Sequence, residues 1–579
     1  MVRPSDALRY QISRLLPHER EELSMCTPER GSRHTERGSV MAMALAFSAV
    51  VGSMIVAAIS VAIVLNRSTE TKVDQTGALA IAEGVAERAQ KQMLDDVANF
   101  TPPTTEGEFQ IGGQDIRWYA DPIGDFIYRT DPDGVQSSIQ PYEITVSSQV
   151  DRGFANVSRV VDLTMTPLFQ YMIFYDDDLE ILPGPSMQLE GRVHANGSIY
   201  VGAGNTLTVD TDYFRATGQI LRERKNNGST TGGTVDIRRQ GTTDFVEMSN
   251  DMDANHTDWT QMALNNWDGT VQDGSHGVSE VVSPNVGTIQ VDGYYHDNAD
   301  LVIIDDQAFD GDGNPISLPP GTLTEVSMYD GREGQYITVT EIDIELLNSS
   351  GAFPENGLLY AYRTDTTTEQ PNGIRLANGE ELAGPLTVVT EDPIYVQGDY
   401  NTINKQGSAV ISDAVNLLSN DWDDSKGPGD LPTASDTDYN LAMITGNVRT
   451  PDGGGSYSGG FENLPRFHER WSGVRARIRG AFANLYESVY ARSPWRYGGD
   501  VYRAPIRDWR YDPDLLDPNN LPPFTPNVAY IRRVLWDDQL PVQFRFDLTG
   551  VPFPPDTPIY DPWVYDPSFM DLVLPDPNQ

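Results

Sequence analysis

SVMAMALAFSAVVGSMIVAAISVAIVLN, residues Ser39 to Asn66, carries no charged side chain. As an α-helix rising about 1.5 Å per residue it is ~40 Å long, enough to cross ~30 Å of hydrocarbon. A helix buried in a soluble core is seldom so long and apolar on every side. A cleaved secretory signal has a shorter apolar run, and no A-x-A-like site precedes the polar Asn66-Arg67-Ser68-Thr69-Glu70. Cys26 lies before the run, against the order of a lipoprotein. Residues 39–66 are therefore read as a retained transmembrane helix.

The flanks give its direction. Arg30, Arg33 and Arg37 stand just before the span, and only Arg67 and Lys72 follow closely. By the positive-inside rule residues 1–38 form a cytoplasmic leader, and the bulk is periplasmic or at the cell surface: a single-pass protein of the inner membrane. Residues 67–100 continue as an exported amphipathic helix, with Ala78, Ile81, Ala82, Val85, Ala89 and Met93 at spacings of three or four. Thr101-Pro102-Pro103 ends it.

Composition narrows the function. The 579 residues carry 84 Asp+Glu against 41 Lys+Arg, a net charge of −43. That field repels nucleic acid, so no nucleic-acid partner is expected. A single cysteine excludes an intramolecular disulfide framework and a Cys-rich zinc site. An apolar content of 39% suffices for burial, and the length suggests several units.

Glu36-Arg37-Gly38-Ser39 before the span, with Ala80-Ile81-Ala82-Glu83-Gly84 after it, resembles the start of PilX-type minor pilins. The resemblance implies cutting by prepilin peptidase between Gly38 and Ser39, and packing of the helix among other pilin-like subunits. Met43 takes the fifth position after the junction, where major pilins carry Glu. An ordinary uncleaved anchor is the alternative.

Beyond the helix, strands are predicted. Residues 101–175 read as a small sheet lying on the exported helix, as in pilin heads. Met187–Val201, MQLEGRVHANGSIYV, alternates strictly: Met187, Leu189, Val193, Ala195, Ile199 and Val201 on one face; Gln188, Glu190, Arg192, His194, Asn196 and Tyr200 on the other. One face is expected buried and the other wet. Gly191 and Gly197 offer bends. The expected fold is mainly β with a long N-terminal transmembrane helix, residues 176–450 forming a β-solenoid-like domain or, alternatively, a β-sandwich. Residues 451–579 read as a Gly linker, a capping helix within Phe467–Ser493, and a Pro/aromatic-rich tail.

FYDDDLEILPGPSMQLEGRVHANG (Phe174–Gly197), YDGREGQYITVTEIDIEL (Tyr329–Leu346), LTVVTEDPIYVQGDYN (Leu386–Asn401) and GGFENLPRFHERW (Gly459–Trp471) resemble a family of large, pilin-like bacterial surface proteins. That resemblance implies a PilX-like N-terminus carrying a large β-rich exported domain, and supplies no activity.

Catalytic signals are sparse. The seven histidines form no HExxH and no pair at metal spacing. Asp310, Asp312 and Asn314 begin like a calcium loop, but Pro315 and Gly321 stand where Gly and Glu are needed, so a hairpin turn is read there and no metal is assigned. Asp176, Asp177, Asp178 and Glu180 cluster, as do Asp421, Asp423 and Asp424. A solvated face is the plain reading of both. Ion pairs are expected within Asp330-Gly331-Arg332-Glu333 and between Arg466 and Glu469. No cofactor motif occurs. The expectation is a non-enzymatic, membrane-anchored, pilin-like subunit of a type IV pilus or type II secretion-like apparatus, with lipid and other pilin-like subunits as partners. The alternative is an anchored polysaccharide-acting enzyme or carbohydrate-binding adhesin on a β-helical scaffold.

Overall fold

The computed structural model describes residues 39–451, 457–493 and 495–539. The leader with Cys26 and Gly38, the centre of the Gly linker, and the tail with Trp563 and Tyr565 lie outside them. The chain is mainly β with one long N-terminal helix, and its contacts divide it into two units, 1–73 and 74–579.

Helix α1 spans Ser39–Ala98, 60 residues without proline. From Met41 to Leu65 its apolar side chains are exposed: Met41 is 70% and Phe47 72% exposed. Its hydroxyls are satisfied within the helix, Ser53 donating to the Val50 carbonyl and Ser60 to that of Val56, both at 2.8 Å. Such back-bonding removes the cost of carrying serine through an apolar medium.

In the second unit the rest of α1 covers an antiparallel sheet. Its strands are β1 (Glu106–Ile111), β2 (Gln114–Pro122), β3 (Ile127–Thr130), β4 (Gln136–Val150) and β5 (Gly153–Pro167). The order is β1-β2-β4-β5, with β3 on β4, and a C-terminal strand, Asn527–Gln539, closes the far side against β5. Ala78, Ala82, Val85, Ala86, Ala89 and Met93 are fully buried, close to the stripe read from the sequence, although Ile81 is only half-buried. Alanine lets the helix lie close: Ser148 Oγ reaches the Ala78 carbonyl at 2.5 Å. Gly153 touches the backbone of Asp74 and Gln75, where any Cβ would collide. Val85 and Met93 contribute about 2 kcal/mol each by burial against Trp118, Ile144 and Val161.

The remaining strands pair mostly in parallel. Leu179 lies on Ile199 and Ile199 on Ile220. Leu207 sits between Met187 and Val235. The alternating run 187–201 is thus three short strands, Met187–Glu190, Val193–Ala195 and Ile199–Val201, each in a different sheet. Corners fall at the two glycines. Gly191 has φ +91°, and Gly197 packs on the Asp177–Asp178 backbone of the preceding turn.

A second parallel stack follows from residue 301 onward. One ladder runs Leu301, Leu359, Val388, Val410, Met443, Phe482. It then passes to Ile173, Val193, Phe214 and Val271, so the late strand Phe482–Glu487 joins the early strand Ile173–Tyr175. All ten of these apolar side chains are buried.

Three expectations are corrected. The even face of Met187–Val201 is not uniformly wet: His194 is fully buried and Arg192 nearly so, because aromatic side chains cover them. Phe467–Ser493 holds no helix; Arg475–Gly480 and Phe482–Glu487 are strands, since Ala476, Ile478 and Gly480 point inward between outward arginines. Part of the Pro/aromatic-rich tail also forms strands, Ile506–Tyr511 and Asn527–Gln539.

Candidate functional site

Three features gather polar side chains: the acidic clusters, a large cleft and a buried polar cluster. The acidic clusters prove to be fasteners. Asp176 accepts from Ser283 Oγ at 2.8 Å and Asn196 Nδ2 at 2.9 Å. Asp178 accepts the Ser198 N–H at 2.7 Å and pairs with Lys225, while Asp177 pairs with Arg449. In the other cluster Asp424 holds Arg375 at 2.6 Å, and Asp423 caps the Ser425 N–H at 2.8 Å. The Asp310 carboxylate accepts the N–H groups of Asp312 (3.1 Å) and Asn314 (2.8 Å), closing a hairpin between Gln307–Asp310 and Pro315–Ile316. Among the described residues, no three or more His, Cys, Asp or Glu are grouped to hold a metal ion.

Glu180 is the exception. It is buried, accepts from Thr450 Oγ1, and leaves Oε1 without a partner. Burial, with a contribution from the charge of Glu462, raises its pKa from 4.5 to about 7. The fold therefore favours the protonated acid. Its stabilising contribution is complete below pH 4.5 and is lost as pH rises through 7, a change of about 3 kcal/mol. Urea unfolding of the detergent-solubilised chain is expected to show wild type losing stability relative to Glu180→Gln between pH 4.5 and 8. A constant difference across that range would contradict the assignment.

A cleft of about 1000 Å³ lies between the α1-bearing sheet and the first parallel stack. Its cations are largely neutralised: Arg192 by Asp131 (2.7 Å) and Asp133 (2.5 Å), Arg533 by Glu87 (2.5 Å), Lys91 by Asp95 (2.8 Å). Arg215 lies over the Tyr213 ring at 4.2 Å. Behind this wall His194 stacks on Phe174 and meets Asn196 Oδ1 at 3.1 Å. Burial lowers its pKa to about 4, so it is neutral at ordinary pH.

The densest polar cluster lies inside the second stack, where Asp330–Glu333 meets Arg466–Glu469. Asp330 is fully buried and accepts from the N–H groups of Arg332 (2.7 Å) and Glu333 (2.9 Å) and from the Tyr395 hydroxyl (2.6 Å). His468 Nδ1 stands 3.5 Å from the same carboxylate, and its Nε2 meets Asn416 Oδ1 at 2.8 Å. Burial lowers this imidazole to about 3. The ion pairs read within each motif are replaced by contacts between distant segments: Arg466 pairs with Glu333 at 2.5 Å, and Glu469 accepts from the N–H and hydroxyl of Ser419. Asp330 and His468 went unrecognised as partners because nothing local links positions so far apart. Their only sequence signal is that both lie in motifs rich in charge.

No family model matches the chain, and no curated protein does either. Among solved structures, the competence-associated pilin ComZ from Thermus thermophilus is matched over 81% of this chain and 98% of its own, at 8% identity and a TM-score of 0.27. A likeness at that score carries no argument about fold or activity.

Proposed function

We propose that the chain is a membrane-anchored, pilin-like structural subunit of a type IV pilus or type II secretion-like apparatus that presents an acidic, β-rich exported domain. The observation that carries this reading is the helix Ser39–Ala98: charge-free with exposed apolar side chains as far as Leu65, then alanine-striped against an antiparallel sheet from Ala78. One such element can hold the subunit in lipid and later lie among like helices. The parallel ladders, with turns of about twenty residues in the first stack (Leu179, Ile199, Ile220) and longer ones in the second, favour a solenoid over a sandwich for the exported domain. The carboxylates engaged by backbone N–H groups and guanidiniums favour a structural role over sugar chemistry. Trp509, at the start of the Pro/aromatic-rich tail, is buried between Phe467 and Phe482 and offers no face for sugar stacking.

Processing by a prepilin peptidase belongs to the same proposal. Mass spectrometry of the cellular protein is expected to find Ser39 at the N-terminus, and Gly38→Ala to retain the leader. An unchanged precursor mass in wild type would reject processing; release of the protein by alkaline washing of membranes would reject the anchor.

A further inference from the structure

The pattern Asn-x-Ser/Thr, which marks an acceptor for N-linked sugar in exported chains, occurs at Asn66, Asn99, Asn156, Asn196, Asn227, Asn255 and Asn348. Transfer needs an amide Nδ2 that is exposed and free, on a turn that an enzyme can reach. The fold withholds most of these sites. Nδ2 is committed at Asn66 to Glu70 (2.8 Å), at Asn99 to the Asp95 carbonyl (2.6 Å), at Asn196 to Asp176 and the Val281 carbonyl, and at Asn348 to the Glu381 carbonyl (2.8 Å). Asn156 lies inside β5, opposite Ser147 on one side and Gln539 on the other. Asn255 is exposed, but its turn is fastened. Asp253 holds the N–H groups of Asn255 (2.9 Å) and His256 (3.0 Å), and His256 Nδ1 takes that of Asp258 as the chain enters the helix Trp259–Trp267.

Asn227 differs. It stands with Gly228, Ser229 and Thr230 at an exposed loop tip between the strands Ile220–Leu221 and Thr234–Arg238. The Gly228 N–H donates to the Arg224 carbonyl at 2.8 Å, and the Arg224 N–H to that of Ser229 at 3.0 Å. Gly228 has φ +66°, a conformation that a side chain would oppose. The Asn227 Oδ1 accepts the Ser229 N–H at 3.0 Å, an Asx-turn that occupies the oxygen and leaves the nitrogen over. Among the described residues that Nδ2 donates to no group.

We propose that Asn227 is an N-glycosylation site and carries an oligosaccharide on this corner of the first parallel stack. Nδ2 attacks C1 of a glycan borne on a lipid pyrophosphate. The N–C1 bond forms, the C1–O bond breaks with its electron pair leaving on the pyrophosphate, and the Nδ2 proton passes to a carboxylate of the membrane transferase. Ser229 supplies the hydroxyl by which that enzyme reads the acceptor. Such carriers donate on the far side of the membrane, so this site rests on the exported reading of the domain.

Peptide mass spectrometry of the full chain from native membranes tests this, with external protease on right-side-out vesicles run beside it. The peptide spanning Asn227 is expected to carry a saccharide mass, and those of Asn196 and Asn348 none. Asn227→Gln and Ser229→Ala are expected to lose it and Ser229→Thr to keep it, with melting midpoints unchanged because the tip is exposed. An unmodified Asn227, or one converted only to aspartate, overturns the proposal alone when external protease digests the domain. An unmodified Asn227 on a chain that the protease cannot reach overturns the exported reading as well. A saccharide that survives Ser229→Ala overturns the assignment to this motif.

Discussion

A chain cut after Thr525 is expected to lose its native α1-bearing sheet, measured as a fall in melting midpoint and new protease cleavage within β5. The strand Asn527–Gln539 pairs with β5 from Asn527 opposite Pro167 to Gln539 opposite Asn156, with one register shift between Arg533 and Leu535. Val528 and Ala529 are buried, and Ala529 also bridges to Val282. The Leu168 N–H donates to the Pro526 carbonyl at 2.8 Å, and Arg532 holds Asp162 at 2.7 Å. At about 1 kcal/mol net for each backbone hydrogen bond and about 2 kcal/mol for burying Val528, the loss exceeds about 5 kcal/mol, comparable to the whole margin of a domain. A comparison chain cut after Gln539 keeps the strand and isolates its contribution. Identical melting and digestion of the two chains would show that the strand does not hold the sheet.

The second large effect is expected at Arg466. Replacing it with Met leaves the Glu333 carboxylate buried with only the Ser493 N–H, and removes a cation beside Asp330. Removing one partner of a buried pair costs roughly 3–5 kcal/mol, because the remaining charge has lost its water and gained nothing. Adding Glu333→Met should recover much of that loss, since two apolar side chains of similar volume leave no orphaned charge. A double-mutant cycle by chemical denaturation measures the coupling. If Arg466→Met alone costs under about 1 kcal/mol, the pair is not the counterion arrangement described.

The sequence made the anchor and the inward face of the first stack legible, and left the stacking order hidden. The charge-free stretch at 39–66 is long and apolar on every side, so its helix could be placed directly. Along Met187–Val201 every apolar odd position proved buried. The alternation nonetheless continued through two corners, because each corner preserves the period of two. A long strand and three short ones in different sheets therefore carry one pattern, distinguished only by Gly191 and Gly197.

At 475–480 the signal was present and misread. Arg475, Arg477 and Arg479 alternate with Ala476, Ile478 and Gly480, which is strand spacing, while the apolar residues after them suggested an amphipathic helix. Periodicity puts His194 on the wet face, yet it is buried, because Tyr171, Phe174 and Tyr213 come over that face from neighbouring elements. The Arg466–Glu333 and His468–Asp330 contacts depend on which turns become neighbours, and no local periodicity encodes that.

The junction of Phe482 with Ile173 sets a schedule for biogenesis. The strand Ile173–Tyr175 leaves the ribosome early, but the segment that covers its open side is made roughly 300 residues later, a delay of ~15–60 s at about 5–20 residues per second. Throughout that interval a bare row of N–H and C=O groups stands ready to recruit a stray strand from another chain. Asp176, Asp177 and Asp178 follow it directly in the sequence. Placed there, three like charges act as gatekeepers, repelling a second nascent copy until the rightful neighbour arrives.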